Sequence, residues 1–147
     1  MQLGRIRLLV TALWAGSIWT VGYLVAPTLF ATLADRVLAG TIAASIFRNA
    51  AWLSVVCAAL MLSLLMGAKE LDAKKRRTLL GLVGAMLVCT LVVNLVLQPQ
   101  MAALREAAGT LGVLASASNT KFGVLHGVSS VIYLIQSVLA GFLIFKQ

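Results

Sequence analysis

Charged residues are scarce in this chain of 147 residues. Only 11% of the residues are charged and four are acidic, whereas 61% are hydrophobic and the mean hydropathy is +1.02. A soluble domain is about a quarter charged, and a small one could not cover so much apolar surface with so few charges. The composition therefore excludes an ordinary soluble protein and indicates a protein whose solvent is lipid.

Signatures of catalysis are also missing. The four carboxylates, on Asp35, Glu70, Asp72 and Glu106, are expected in loops or at helix ends, so no proton relay is predicted inside the membrane. The chain has no glycine-rich phosphate loop, nucleophile elbow or HExxH motif. We therefore expect that the protein is not an enzyme.

Four long apolar runs predict an all-α polytopic membrane protein, a bundle of four transmembrane helices forming one domain over residues 1–147. The first run is too long for the h-region of a signal peptide, which spans about 7–15 residues. Pro27 should kink the first helix, and Pro99 should end the helix of the third span. The connection that follows should begin with a separate helical segment at Met101–Ala108. The predicted spans are approximately 8–33, 50–68 with a helical extension back to 36, 78–98 and 121–145.

The basic residues predict an orientation with both termini in the cytoplasm. Eight of the twelve lie on the side that holds the termini and the short loop after the second span, and cytoplasmic loops are enriched in Lys and Arg. No basic face with interleaved aromatic residues is present, so a nucleic-acid partner is not expected. The eight are Arg5, Arg7, Lys69, Lys74, Lys75, Arg76, Arg77 and Lys146.

Polar residues recur along one face of each of the last two spans. One stripe is Met86, Thr90, Asn94 and Gln98 at i, i+4 spacing, and the other begins at His126. The residues of such a stripe either form interhelical hydrogen bonds, each contributing about 1 kcal/mol or less, or line a polar site. The second stripe comprises His126, Ser129, Ser130, Tyr133, Gln136 and Ser137.

Counted from the predicted span ends, Asn94 and His126 lie at similar depth in the outer leaflet, where other polar residues are also expected. Their convergence predicts a cavity that opens to the outside and binds a small polar or anionic ligand. The predicted ligand-binding residues are Tyr23, Arg48, Asn94, Gln98, His126 and Ser130.

Four sulfur-containing side chains form a second candidate site. Cys57 and Met61 on the second span are level with Cys89 and Met86 on the third. Such soft ligands suit Cu(I) or another soft metal, although Cys and Met are also ordinary apolar residues of membrane helices. The sequence leaves three alternatives for the cofactor: copper, another soft metal, or none. Haem is not expected, because His126 is the only histidine and cannot supply two axial ligands.

Two segments of the chain carry a distinctive pattern: Asn94-Leu-Val-Leu-Gln98-Pro99-Gln-Met101 and Lys121-Phe-Gly-Val-Leu-His126-Gly127-Val-Ser129-Ser130. They resemble the transmembrane-protein-205-like family, whose bacterial domain has no known function. The resemblance implies a compact four-helix protein of the bacterial inner membrane. It also implies links to platinum resistance, since animal members are associated with it, and to four-helix modules of copper uptake and haem biosynthesis. Some relatives carry Glu at the position of Gln98, which argues against proton coupling here.

Three functions follow as alternatives. The first is a membrane protein that binds or transports a small ligand or soft metal ion. The second is a non-transporting accessory subunit, in which lipid, a second copy of the chain or a larger membrane complex would be the partner. The third is association with haem or copper.

Overall fold

The computed structural model describes residues 2–68, 71–109 and 119–147. Within them the chain forms four long helices and no strand: α1 (Gln2–Thr32), α2 (Arg36–Gly67), α3 (Ala73–Ala108) and α4 (Asn119–Lys146). All four are long and apolar enough to span a membrane, which confirms the predicted fold class. Lys69, Glu70 and most of the predicted connection between α3 and α4 lie outside the described residues.

The helices form a closed up-and-down bundle. Each helix packs against the next one in the chain, and α4 returns to pack against α1. The connections are short, so successive helices run in opposite directions. We call the end where α1 begins and α4 finishes the basic end, because most of the predicted cytoplasmic Lys and Arg residues lie there. The other is the opposite end.

Two of the four acidic residues begin helices. The carboxylate of Asp35 accepts hydrogen bonds from the backbone N–H groups of Val37 and Leu38 at 2.8 and 3.0 Å, and that of Asp72 accepts one from Lys74 at 3.0 Å. Such N-caps satisfy donors that a helix start leaves open. Asp35 therefore starts α2 at Arg36, as the predicted extension of the second span requires.

Both prolines follow a π-helical segment. Val21–Val25 precedes Pro27 in α1, and Val92–Leu97 precedes Pro99 in α3. Proline has no N–H, and its ring meets the carbonyl four residues earlier in an ordinary α-helix. A π turn is wider, so it gives the ring room and lets the helix continue.

The side chain after each proline bonds to the carbonyl four residues before it in the same helix. Thr28 Oγ1 donates to Leu24 O at 2.6 Å, and Gln100 Nε2 donates to Val96 O at 3.0 Å. The prediction that Pro99 ends the third helix is therefore wrong, since α3 continues to Ala108. Proline ends a helix through a local clash with the carbonyl four residues earlier. Here the wider π turn before the proline relieves that clash.

The helices are longer than the membrane needs. They contain 28 to 36 residues, whereas about 20 cross the hydrocarbon. The helix ends therefore reach the headgroup regions and beyond, and the predicted spans describe only the apolar part of each helix.

Candidate functional site

A small cavity lies between the four helices in the half of the bundle toward the opposite end. Its volume is about 40 Å³, and residues of all four helices line it. A single water needs roughly 10–15 Å³ of such space, so the cavity holds one or a few small molecules. Its polar lining is Ser54, Thr90, Asn94, Gln98, Tyr133 and Gln136.

Three of these polar side chains are almost completely buried. Ser54 is 3% exposed, and Thr90 and Gln136 are each 4% exposed. Gln136 Nε2 on α4 donates to Thr90 Oγ1 on α3 at 2.8 Å, and Thr90 Oγ1 donates to Met86 O at 3.0 Å. These two hydrogen bonds join the polar stripes of α3 and α4 and fix the register between the two helices.

Tyr133 forms one wall of the cavity and is held on three sides. Its hydroxyl donates to Ile18 O at 2.6 Å, in the turn before the π segment of α1. Its ring meets the Phe47 ring edge-on, with centroids 5.4 Å apart. A Cβ atom on Gly22 would overlap its Cε1 atom. Glycine at position 22 is therefore what lets the tyrosine ring approach α1.

Three lining side chains keep unused hydrogen-bonding groups. Two serines outside the cavity show the usual arrangement: Ser63 and Ser130 each donate to the carbonyl four residues earlier in the helix, as buried or lipid-facing serines commonly do. Among the described residues, Ser54, Asn94 and Gln98 make no side-chain hydrogen bond. Ser54 is nearly buried and Asn94 and Gln98 are half-buried, so their polar groups remain available to a small molecule in the cavity.

An apolar layer closes the cavity toward the basic end. Trp14, Met61, Met86 and Leu143 are fully buried there in one core cluster. Each lies one to two helical turns from a residue that lines the cavity, in the direction of the basic end. The cavity is thus separated from the basic end by packed side chains.

Four of the predicted ligand-binding residues lie on the first three helices. Asn94 and Gln98 line the cavity, as half-buried side chains of α3. Arg48 is exposed, next to the cavity-lining Phe47. Tyr23 is 53% exposed and suits the membrane interface, where tyrosine is enriched. Of these four, the structure brings together Asn94 and Gln98.

His126 and Ser130 lie on exposed parts of α4. The His126 ring stacks on Phe122, with centroids 6.1 Å apart, and the Arg105 guanidinium lies 5.2 Å from the Phe122 centroid. Ser130 Oγ donates to His126 O at 2.8 Å. Neither residue lines the cavity.

The packing of α3 against α4 places Asn94 and His126 at different levels along the bundle. The bond between Thr90 and Gln136 places these two residues at one level. Since α3 and α4 are antiparallel, Asn94 is level with Ile132, and His126 lies about 9 Å further toward the opposite end.

The structure places three of the four predicted soft-metal ligands in one buried cluster and the fourth outside it. Cys57, Met61 and Met86 belong to the buried core cluster, whereas Cys89 is half-buried outside it. Met61 Sδ accepts a hydrogen bond from Thr11 Oγ1 at 3.6 Å. In the described ranges, no three His, Cys, Asp or Glu side chains are grouped to hold a metal. Binding of copper or another soft metal stays a prediction.

Four of the polar residues that line the cavity are not among the predicted ligand-binding residues: Ser54, Thr90, Tyr133 and Gln136. Thr90 shares the helical face of Asn94, and Tyr133 and Gln136 belong to the second polar stripe, so the pattern contained a signal for these three. Ser54 is a single hydroxyl within an apolar run and gave none.

Comparison with known proteins gives one match. No curated protein and no solved structure matches the chain. A family model matches residues 9–110, from α1 to the end of α3. The segment from Lys121 to Ser130 lies beyond the match, so the narrower resemblance to the transmembrane-protein-205-like family stays a prediction. Because the match covers most of the chain, the protein belongs to the family described as a domain of unknown function, DUF4149.

Proposed function

We propose that the protein is a small multi-pass membrane protein that binds a monovalent ion or a small neutral polar molecule in the cavity between its four helices. The observation that carries this proposal is Ser54, which is 3% exposed and lines the cavity. Its hydroxyl has no hydrogen-bond partner among the described residues. A bound molecule would satisfy this hydroxyl together with the amides of Asn94 and Gln98.

Size and charge define the class of ligand. A volume of about 40 Å³ is far below the roughly 300 Å³ at which pockets for drug-sized ligands begin. Within the described part of the chain no charged side chain lines the cavity, so no described residue would neutralise a divalent cation or a phosphate there. Hydroxyl and amide groups offer both donors and acceptors, which suits a monovalent ion of either sign or a small neutral molecule.

Binding is better supported than transport. The core cluster that contains Trp14, Met61 and Met86 closes the cavity toward the basic end. Passage of a ligand across the membrane would require this layer to open. Reconstituted vesicles would test that step: flux of the bound ligand into the vesicle lumen would extend the proposed function to transport.

Thermal unfolding in detergent or nanodiscs tests the binding. A ligand that binds only the folded protein stabilises it by about 2.7 kcal/mol at 100 times its Kd. A panel of candidate ligands would be tested. Lithium, sodium and potassium would be compared with the bulky cation N-methylglucamine, and chloride and fluoride with the bulky anion gluconate. A small neutral solute such as formamide would complete the panel. We expect one of them to raise the unfolding temperature saturably.

The matched variants are Ser54→Ala and Ser45→Ala on the same helix. Ser54 faces the cavity and Ser45 is exposed, so only Ser54→Ala should reduce the ligand effect. Asn94→Leu should abolish it. If no ligand stabilises the wild type, or if Asn94→Leu responds equally, the proposal fails.

The accessory role is the competing function. In each helix only 22 to 28% of the most apolar window is buried, so a large surface remains for lipid, a second copy or another membrane protein. A partner that co-purifies at fixed stoichiometry, from a protein that binds no ligand of the panel, would favour this role.

A further inference from the structure

A second concave surface lies at the basic end, far from the cavity. It is a groove of about 360 Å³ lined by Ala73, Lys74, Arg77 and Thr78, and we call it the α3 groove. These residues occupy one face of the first two turns of α3. The groove is open, since its described lining consists of four exposed residues of a single helix.

The two cations of the α3 groove are not neutralised within the described part of the chain. The side chains of Lys74 and Arg77 make no hydrogen bond or ion pair there. Neighbouring Lys75 differs, because its Nζ donates to Gln147 O at 2.7 Å. The nearby carboxylate of Asp72 is engaged as the helix cap. The groove therefore presents two positive charges, three residues apart, that form no ion pair with any described residue.

The groove lies where α3 enters the apolar part of its sequence. Thr78 lines the groove and begins the predicted span. Long basic side chains at this level place their charges among lipid headgroups. A ligand at this level would be a membrane component or a solute at the membrane surface.

The face of α3 next to the groove favours a lipid. One and two turns beyond Arg77, Gly81 and Ala85 are exposed, and a Cβ atom on Gly81 would meet nothing within 4 Å. Val88 continues the same face and is 60% exposed. This face is smooth and apolar, so an acyl chain can lie along it while the headgroup occupies the groove.

We propose that the α3 groove binds an anionic phospholipid, with Lys74 and Arg77 contacting the phosphodiester and an acyl chain lying along Gly81 and Ala85. Arginine and lysine are the usual side chains for phosphate. The site is separate from the cavity between the helices, so its test is independent of the proposed function.

Native mass spectrometry of the full-length protein with phosphatidylglycerol and phosphatidylcholine tests the proposal. We expect saturable binding of one phosphatidylglycerol in preference to phosphatidylcholine. Lys74→Gln/Arg77→Gln should weaken that binding by about 25-fold, because each basic residue near an anionic surface contributes a factor of about five. Arg5→Gln/Lys146→Gln removes two exposed charges at the same end and should change it little.

Gly81→Leu separates a lipid from a free anion. It should obstruct the acyl chain and weaken phosphatidylglycerol binding, although both cations remain. If Lys74→Gln/Arg77→Gln and Arg5→Gln/Lys146→Gln weaken phosphatidylglycerol binding equally, the binding reflects general surface charge and the proposal is overturned. Saturable binding of inorganic phosphate, with Gly81→Leu neutral for phosphatidylglycerol, would overturn the assignment to a lipid. Circular dichroism and size-exclusion chromatography check that each variant is folded.

Discussion

Gly22→Ala tests the contact that positions one wall of the cavity. The added Cβ atom would overlap Tyr133 Cε1 and lie 3.1 Å from Cζ. The ring cannot move away at low cost, because its hydroxyl is bonded to Ile18 O and its ring packs edge-on with the Phe47 ring. Overpacking of this kind costs about 1–3 kcal/mol, and loss of the hydroxyl bond would add about 1 kcal/mol.

We expect Gly22→Ala to destabilise the protein by about 2 kcal/mol, after the gain of up to 1 kcal/mol that alanine brings to a helix. Equilibrium unfolding in mixed micelles with increasing SDS measures this difference. Gly16→Ala is the matched control on the same helix, because its Cβ atom would meet nothing within 4 Å. That variant should be neutral or slightly stabilised.

A double-mutant cycle assigns the cost to the tyrosine ring. In a Tyr133→Leu background the ring is absent, so Gly22→Ala should cost less than about 0.5 kcal/mol. The reasoning is refuted if Gly22→Ala is tolerated as well as Gly16→Ala. It is also refuted if the cost persists without the ring.

Three further predictions follow from the packing and the topology. Gln136→Leu and Thr90→Val should show a coupling free energy of about 0.6 kcal/mol in unfolding experiments, typical of interhelical hydrogen bonds, and additive effects would contradict the bond at 2.8 Å. Cys89, which is half-buried, should react with a maleimide in the folded protein before the buried Cys57 does, as single-cysteine variants would show by mass spectrometry. A reporter fused after Gln147 should be active only if it functions in the cytoplasm, and periplasmic activity would contradict the predicted orientation.

The sequence was sufficient for the helices because lipid-facing surfaces must be apolar over long runs. This constraint located all four, and the helical spacing of residues 37–47 indicated that α2 begins near Arg36. The end of α3 was missed because it depends on the π-helical turn at Val92–Leu97, which compensates for Pro99.

The site was only partly predictable for a related reason. The level of Asn94 and His126 was inferred from the supposed end at Pro99, whereas the packing of Thr90 against Gln136 sets the true register. Asn94 and Gln98 were recognised because they share a helical face. The side chain of Ser54 has no periodic partner, so its place in the cavity depends on tertiary packing.

Anomalous difference density tests the central claim most directly. Crystals of the protein in lipid would be grown with rubidium or bromide, the heavy counterparts of the monovalent ions in the panel, or with the neutral solute if that is the stabilising ligand. The account predicts ordered density within hydrogen-bonding or coordination distance of Ser54 Oγ and the amide of Asn94 or Gln98. A collapsed cavity, with Ser54 Oγ bonded to a carbonyl of its own helix and no density beside it, would contradict the account.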